Sequence, residues 1–140
     1  MTYAAIHDAI RTRFKSEVAD VASLPVEYPN APFDTPDDST RWMRMSIRSG
    51  ESFQAGIGAG SVALFRRVGE LIVQVFGPVQ PDTGSPTGDL MDLADTIAAA
   101  FRRVSASNVT YMTPSVTEVG RTGAWWQVNV NCPWYSDVLA

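Results

Sequence analysis

The sequence predicts an α+β fold: an antiparallel or mixed sheet of about four to six strands, with two main helices packed on one face. Three observations lead there. Two segments, one N-terminal and one two-thirds along, repeat apolar residues at helical spacing. The stretches between and after them alternate apolar and polar residues with the period of a strand. Short turn signals join those stretches, so sequential strands run antiparallel. The 140 residues suit a single domain, 1–140, large enough to bury a core without staples.

The first helix spans Tyr3 to Val18. Ile6, Ile10, Phe14 and Val18 recur every four residues, flanked by Ala5 and Ala9, and Thr2 suits the N-cap. From Leu24 to Thr40, prolines at 25, 29, 32 and 36 exclude helix and central strand, leaving a long loop with a short edge strand at Val26–Tyr28. Arg41–Arg48 is a half-buried strand. Met43, Met45 and Ile47 take one face, while Trp42, Arg44, Ser46 and Arg48 take the other.

Ser49-Gly50 marks a turn. "SFQAGIG" and "SVALFRRVG" follow as strand pieces interrupted at "GAG", within an irregular region near 50–61. Glu70–Phe76, β-branched and unbroken, is the strongest strand. A further irregular loop covers 77–88. Ser85-Pro86 then fits an N-cap followed by Pro at the first helical position. Leu90, Leu93, Ala94, Ile97, Phe101 and Val104 form the stripe of the second helix. Asp89, Asp92 and Asp95 sit near its start and Arg102 and Arg103 near its end, as the helix dipole favours. Finally, Asn108–Val119 and Ala124–Tyr135 pair across "GRTG". In the last strand Trp126, Val128, Val130 and Cys132 share one face, and Trp125, Gln127, Asn129 and Asn131 the other.

Composition excludes several functions. A formal charge of −4 argues against a general nucleic-acid binder, which needs a basic stripe. Ten arginines stand against one lysine, Lys15. Guanidinium forks suit interfaces, and a GC-rich genome gives the same bias; both readings stand. Cys132 is the only cysteine, so no intrachain disulfide forms, which fits a reducing compartment. The N-terminus lacks a signal-peptide pattern, and no apolar run reaches membrane-spanning length. The expectation is a protein made and kept in a cytoplasm.

The search for chemistry is mostly negative. His7, the only histidine, lies beside the first helix's apolar stripe, with no sign of a nucleophile and acid arranged around it. Cys132 reads as inert core, and one His plus one Cys exclude the usual zinc sites. Gly56, Gly58 and Gly60 mimic a phosphate loop, yet no helix follows them. Asp34, Asp37 and Asp38 miss the calcium-loop spacing and serve to solvate the Pro-rich loop. No catalytic, cofactor-binding or metal-binding residue is assigned.

The faces turned toward solvent carry more information. Trp42 alternates outward with Arg44 and Arg48, and Trp125 with Gln127. Aromatics mixed with arginine mark protein–protein contact patches. The candidate contact residues are therefore Trp42, Arg44, Arg48, Phe65, Arg66, Arg67, Trp125 and Gln127.

Two motifs carry a resemblance. Arg67–Gly84 contains R-x-G-x-L-x-V-Q-V-F followed by Pro and a Gly-rich loop. Trp126–Asp137 closes the chain as W-x-V-x-V-x-x-P-W, with Tyr135 and Asp137 one residue off the family pattern. With the order of the remaining pieces, the chain resembles the tail terminator-like (minor tail) proteins of long-tailed bacteriophages and prophages. That resemblance implies a structural virion protein without cofactor or catalysis. It implies a homo-hexameric ring on the head-proximal end of the tail tube, which stops tube polymerisation and provides the head-attachment surface. Implied partners are other copies of itself, the tail tube protein and a head-completion or neck protein. DNA would pass through the ring without tight binding, and assembly would take place in the bacterial host cytoplasm. Two alternatives remain at this stage: another neck, head-completion or tail-tube component, and a small ligand-binding module or enzyme using the Gly56–Gly60 turn with Arg66 and Arg67.

Overall fold

The computed structural model describes residues 2–36, 40–57, 63–79 and 86–139, with the backbone alone for 86–89. The sheet is larger than the sequence predicts. Eight strands form one mixed sheet with the order β1-β2-β4-β8-β6-β5; β3 pairs with β4, and β7 with β8. β1 (Val26–Glu27) is the expected short edge strand and β6 (Val109–Tyr111) opens the expected Asn108–Val119 stretch, while β5 (Ser105–Ala106) is new. A two-residue strand is too brief for alternation to reveal. The longer strands are β2 (Trp42–Ser49), β3 (Phe53–Ile57), β4 (Ala63–Pro78), β7 (Ser115–Thr122) and β8 (Trp125–Leu139).

β4 and β8 form the spine. They pair antiparallel without a slip from Leu64↔Leu139 to Pro78↔Trp125. β4 is thus far longer than the expected Glu70–Phe76 core, running back through "ALFRRV". β2 pairs antiparallel with β4 from Trp42↔Phe76 to Ser49↔Gly69, and β1 adds the only parallel pairing among the described strands. The expected strand over Asn108–Val119 is two strands, β6 and β7, separated at 112–114, where Pro114 cannot continue a ladder. Gly120 of the anticipated turn, φ +101°, pairs with Gln127 just after a bulge at Val119, and the reversal falls at Gly123, φ +61°.

Helix α1 (Tyr3–Phe14) is capped by Thr2, whose side chain accepts from the Ala5 N–H. It does not stop at Val18. A π-helical turn over Lys15–Ala19 carries it into α2 (Asp20–Ala22), and Ser23 ends it in the left-handed region. Lys15 Nζ bonds both carboxylate oxygens of Asp20, at 3.1 and 3.3 Å, spanning the five-residue turn. Helix α3 (Pro86–Phe101) starts at the expected proline; the proposed cap, Ser85, lies outside the described residues. It ends at Phe101, so Val104 packs on the core from beyond the helix.

One core cluster unites the helices with one sheet face. Ile6, Ile10, Phe14 and Val18 meet Leu90, Leu93, Ala94, Ile97, Ala98 and Phe101. The sheet contributes Met43, Met45, Leu71, Val73, Val75, Val128, Val130, Cys132 and Trp134. At the helix end, Arg13 donates from Nε (3.1 Å) and Nη2 (2.6 Å) to the Ala100 carbonyl oxygen. Its guanidinium also lies over the rings of Phe101 and Tyr111, satisfying a terminal carbonyl of α3 from the neighbouring helix.

Candidate assembly surfaces

The pairing registers place the candidate residues. Trp42, Arg44 and Arg48 of β2, Arg66 of β4 and Trp125 and Gln127 of β8 share the sheet face opposite the core. Phe65 and Arg67 fall on the core-facing side of β4, near its N-terminal end. The candidates therefore do not form one patch. Trp42, Arg44, Trp125 and Gln127 gather at one end of the ladder, and Phe65, Arg66 and Arg67 at the other.

The expectation that Trp42 faces solvent is corrected by the structure. Trp42 is 3% exposed. Its ring stacks on Phe76, directly opposite, at 4.2 Å between centroids, and on Phe33 at 5.4 Å, with Trp125 edge-on at 5.9 Å. Strand alternation identifies the face correctly, but it cannot show that the Pro-rich loop folds Phe33 over it. Gln127 is likewise buried. It accepts from Thr122 Oγ1 at 3.0 Å and donates to Asn129 Oδ1 at 2.8 Å.

Arg44 sits half-exposed in a polar row crossing the sheet. Its Nε donates to Glu27 Oε2 and its Nη1 to Gln74 Oε1 at 3.4 Å, and its guanidinium lies 5.4 Å from both the Trp42 and Phe76 rings. Arg48 is exposed at the end of β2. At the far end of the ladder, Arg66 makes a bidentate pair with Asp137, Nε to Oδ1 at 2.8 Å and Nη2 to Oδ2 at 2.9 Å, above the Tyr135 ring. That guanidinium holds the Asp137 carboxyl below its usual range. Arg67 lies over the Tyr3 ring at 4.6 Å, and Tyr3 shares a hydroxyl hydrogen bond with Ser52.

Several exposed apolar residues escaped the sequence reading. Phe53 and Ile57 of β3, Leu139 at the end of β8 and Tyr3 are solvent-exposed at the far end of the ladder, Ile57 at 94%. Val119 is exposed on the β7 bulge. Their signal was weak, because Phe53 and Ile57 lie in a Gly-broken stretch where a bulge at Ala55 interrupts the alternation.

Groups able to do chemistry are scattered. Cys132 is fully buried, and burial, then the charge of Glu70, pushes its thiol up to about 12. His7 Nε2 lies 3.4 Å from Ser49 Oγ, at the long end of hydrogen bonding. Among the described residues, no three His, Cys, Asp or Glu side chains come together to hold a metal ion. No described helix is long and apolar enough to cross a membrane. The Gly56–Gly60 turn and the Asp34–Asp38 cluster lie partly outside the described residues, at 58–60 and 37–38.

The two motifs of the resemblance prove to be two sides of one ladder. Gly69 pairs with Trp134, Glu70 with Pro133, Leu71 with Cys132 and Val75 with Val128. A Cβ on Gly69 would lie 2.8 Å from Trp134 Cε2, and closer still to Trp134 Cζ2 and the Arg48 carbonyl oxygen. The glycine of the first motif thus makes room for the tryptophan of the second.

A solved structure of a protein carrying no functional name shares this fold. It is 17% identical, with TM-score 0.63, and the match covers 93% of this chain and 94% of that one. No curated protein matches the chain significantly. The model of the phage tail terminator protein family matches residues 5–134, from the first turn of α1 to the buried Trp134 of β8, and the chain therefore belongs to that family.

Proposed function

We propose that the protein acts as the tail terminator of a long-tailed phage. Six copies close into a ring on the head-proximal end of the finished tail tube, stop its growth and present the surface to which a head-completion or neck protein attaches. The observation that carries this reading is a family match over nearly the whole chain, including the first motif of the central ladder and the second as far as Trp134. Exposed apolar residues at the ladder's end and on β7 support it, as surface open to subunit contacts. The work is done by interfaces, and no cofactor or catalytic step is invoked. A ring of identical subunits needs two different patches that meet head to tail. DNA passes through its centre, and an acidic chain does not hold it tightly.

Light scattering and negative-stain imaging across concentration, with and without tail tubes, test the reading. Closed rings, free or on tube ends, are expected. Open filaments assign the protein to the tube itself, and a monomer that ignores tubes at every concentration overturns the proposal.

A further inference from the structure

Four described strands, β1, β3, β5 and β7, have a partner on one side only; β3 and β7 are the longest of them and lie on opposite flanks, and we propose that these two edges join neighbouring copies, β3 of each pairing antiparallel with β7 of the next. This inference rests on the ring reading above and supplies its two patches. β3 bonds β4 on the flank away from β8, and β7 bonds β8 on the flank away from β4. Among the described residues neither has a second strand beside it. Each carries a β-bulge, at Ala55 and Val119, and β7 also carries Glu118 and Arg121, but neither holds a lysine or proline. Both expose apolar side chains instead: Phe53 and Ile57 at 50% and 94%, and Val119 at 49%.

Strand polarity suits a second copy as the occupant. β3 and β8 both run against β4, and β7 runs against β8. β7 therefore points opposite to β3. A copy moved sideways without being turned over offers an antiparallel partner, and each copy keeps one edge for each neighbour. Pairing like edges about two-fold axes turns alternate copies over and gives a ring with two equivalent ends, whereas tube and head call for different ones.

The stagger fits as well. β3 lies against β4 at Ala63–Arg66, whereas β7 lies level with Ile72–Pro78 through β8. That offset is about 35 Å along the strands, and the four strands from β3 to β7 plus the contact itself make four spacings, about 19 Å per copy. The step between copies is then about 40 Å. In a six-membered ring the step equals the radius, so subunit centres stand about 40 Å from the axis. A domain of this length has a radius of gyration of about 14 Å, and the centre stays open. The offset also carries each neighbour past β2, which pairs with β4 only from Gly69 onward, and past β6 beside Trp134 and Tyr135.

The test uses Ile57→Lys and Val119→Lys, exposed positions where the substitution blunts an edge without touching the core. Thermal melts confirm that both variants fold. In native mass spectrometry and sedimentation, wild type is expected to form rings, and each variant alone to need at least tenfold more protein to associate. An equimolar mixture should stop at 1:1 dimers, because only one unmodified β3–β7 contact can form. Rings from either variant at wild-type concentration overturn the edge assignment and leave the terminator reading standing. Dimers of one variant alone overturn it in favour of like-edge pairing. A wild type that forms no ring, even with tube ends present, overturns both.

Discussion

Gly69→Ala is the most demanding test of the central ladder. Gly69 does not have a positive φ, so its conformational freedom is not the reason for a glycine. The reason is close approach. The added methyl meets two obstacles at once, the Arg48 carbonyl oxygen of the neighbouring strand and the indole of fully buried Trp134. Neither can swing aside, since one is backbone and the other is held in the core cluster. Overpacking costs about 1–3 kcal/mol, and two rigid obstacles place this change at about 3 kcal/mol. A domain of this length has an unfolding entropy of roughly 0.3 kcal/mol/K, so Tm should fall by about 10 °C. The assay is thermal unfolding followed by near-UV circular dichroism, which reports the packing of the aromatic side chains, Trp134 among them. Gly50→Ala is the control. Its nearest obstacle is a Val68 methyl at 3.3 Å, a side-chain atom that can give, and its shift should stay within about 3 °C. A Gly69→Ala protein that melts within that same margin refutes the close-approach account.

Arg13→Ala removes two donors to the Ala100 carbonyl and the packing on Phe101 and Tyr111; a loss of about 1–3 kcal/mol is expected in denaturant unfolding, with Arg13→Lys intermediate. Unchanged stability would show that α3 needs no cap from α1. Cys132 should resist a thiol reagent in the native protein and react fully in urea; native labelling at the rate of a free thiol would contradict its burial. Asp137 has a lowered pKa, so its pairing with Arg66 stabilises the fold fully above the ordinary value of 3.8 and loses that contribution as the pH falls through the depressed value. The stability gap between wild type and Asp137→Asn should be constant near neutrality and close in acid; a gap that persists at the lowest pH would assign the effect to something other than this charge.

Hydrophobic periodicity alone determined the two helical stripes, the faces of β2 and β8 and the buried run of β4, because burial of one face imposes a fixed repeat on the chain. The order of those pieces and the two motifs were enough to point to the family. Pairing partners were another matter. Which residue lies opposite Gly69, and hence why it is glycine, depends on a register spanning more than sixty residues of chain. The fate of Trp42 likewise depended on Phe33, a loop residue with no periodic signature, folding back onto the sheet. The exposed apolar residues of β3 and β7 look in sequence like any others in strands. Only the tertiary structure decides that they lie on open edges, since exposure belongs to the assembled sheet and not to a segment read alone.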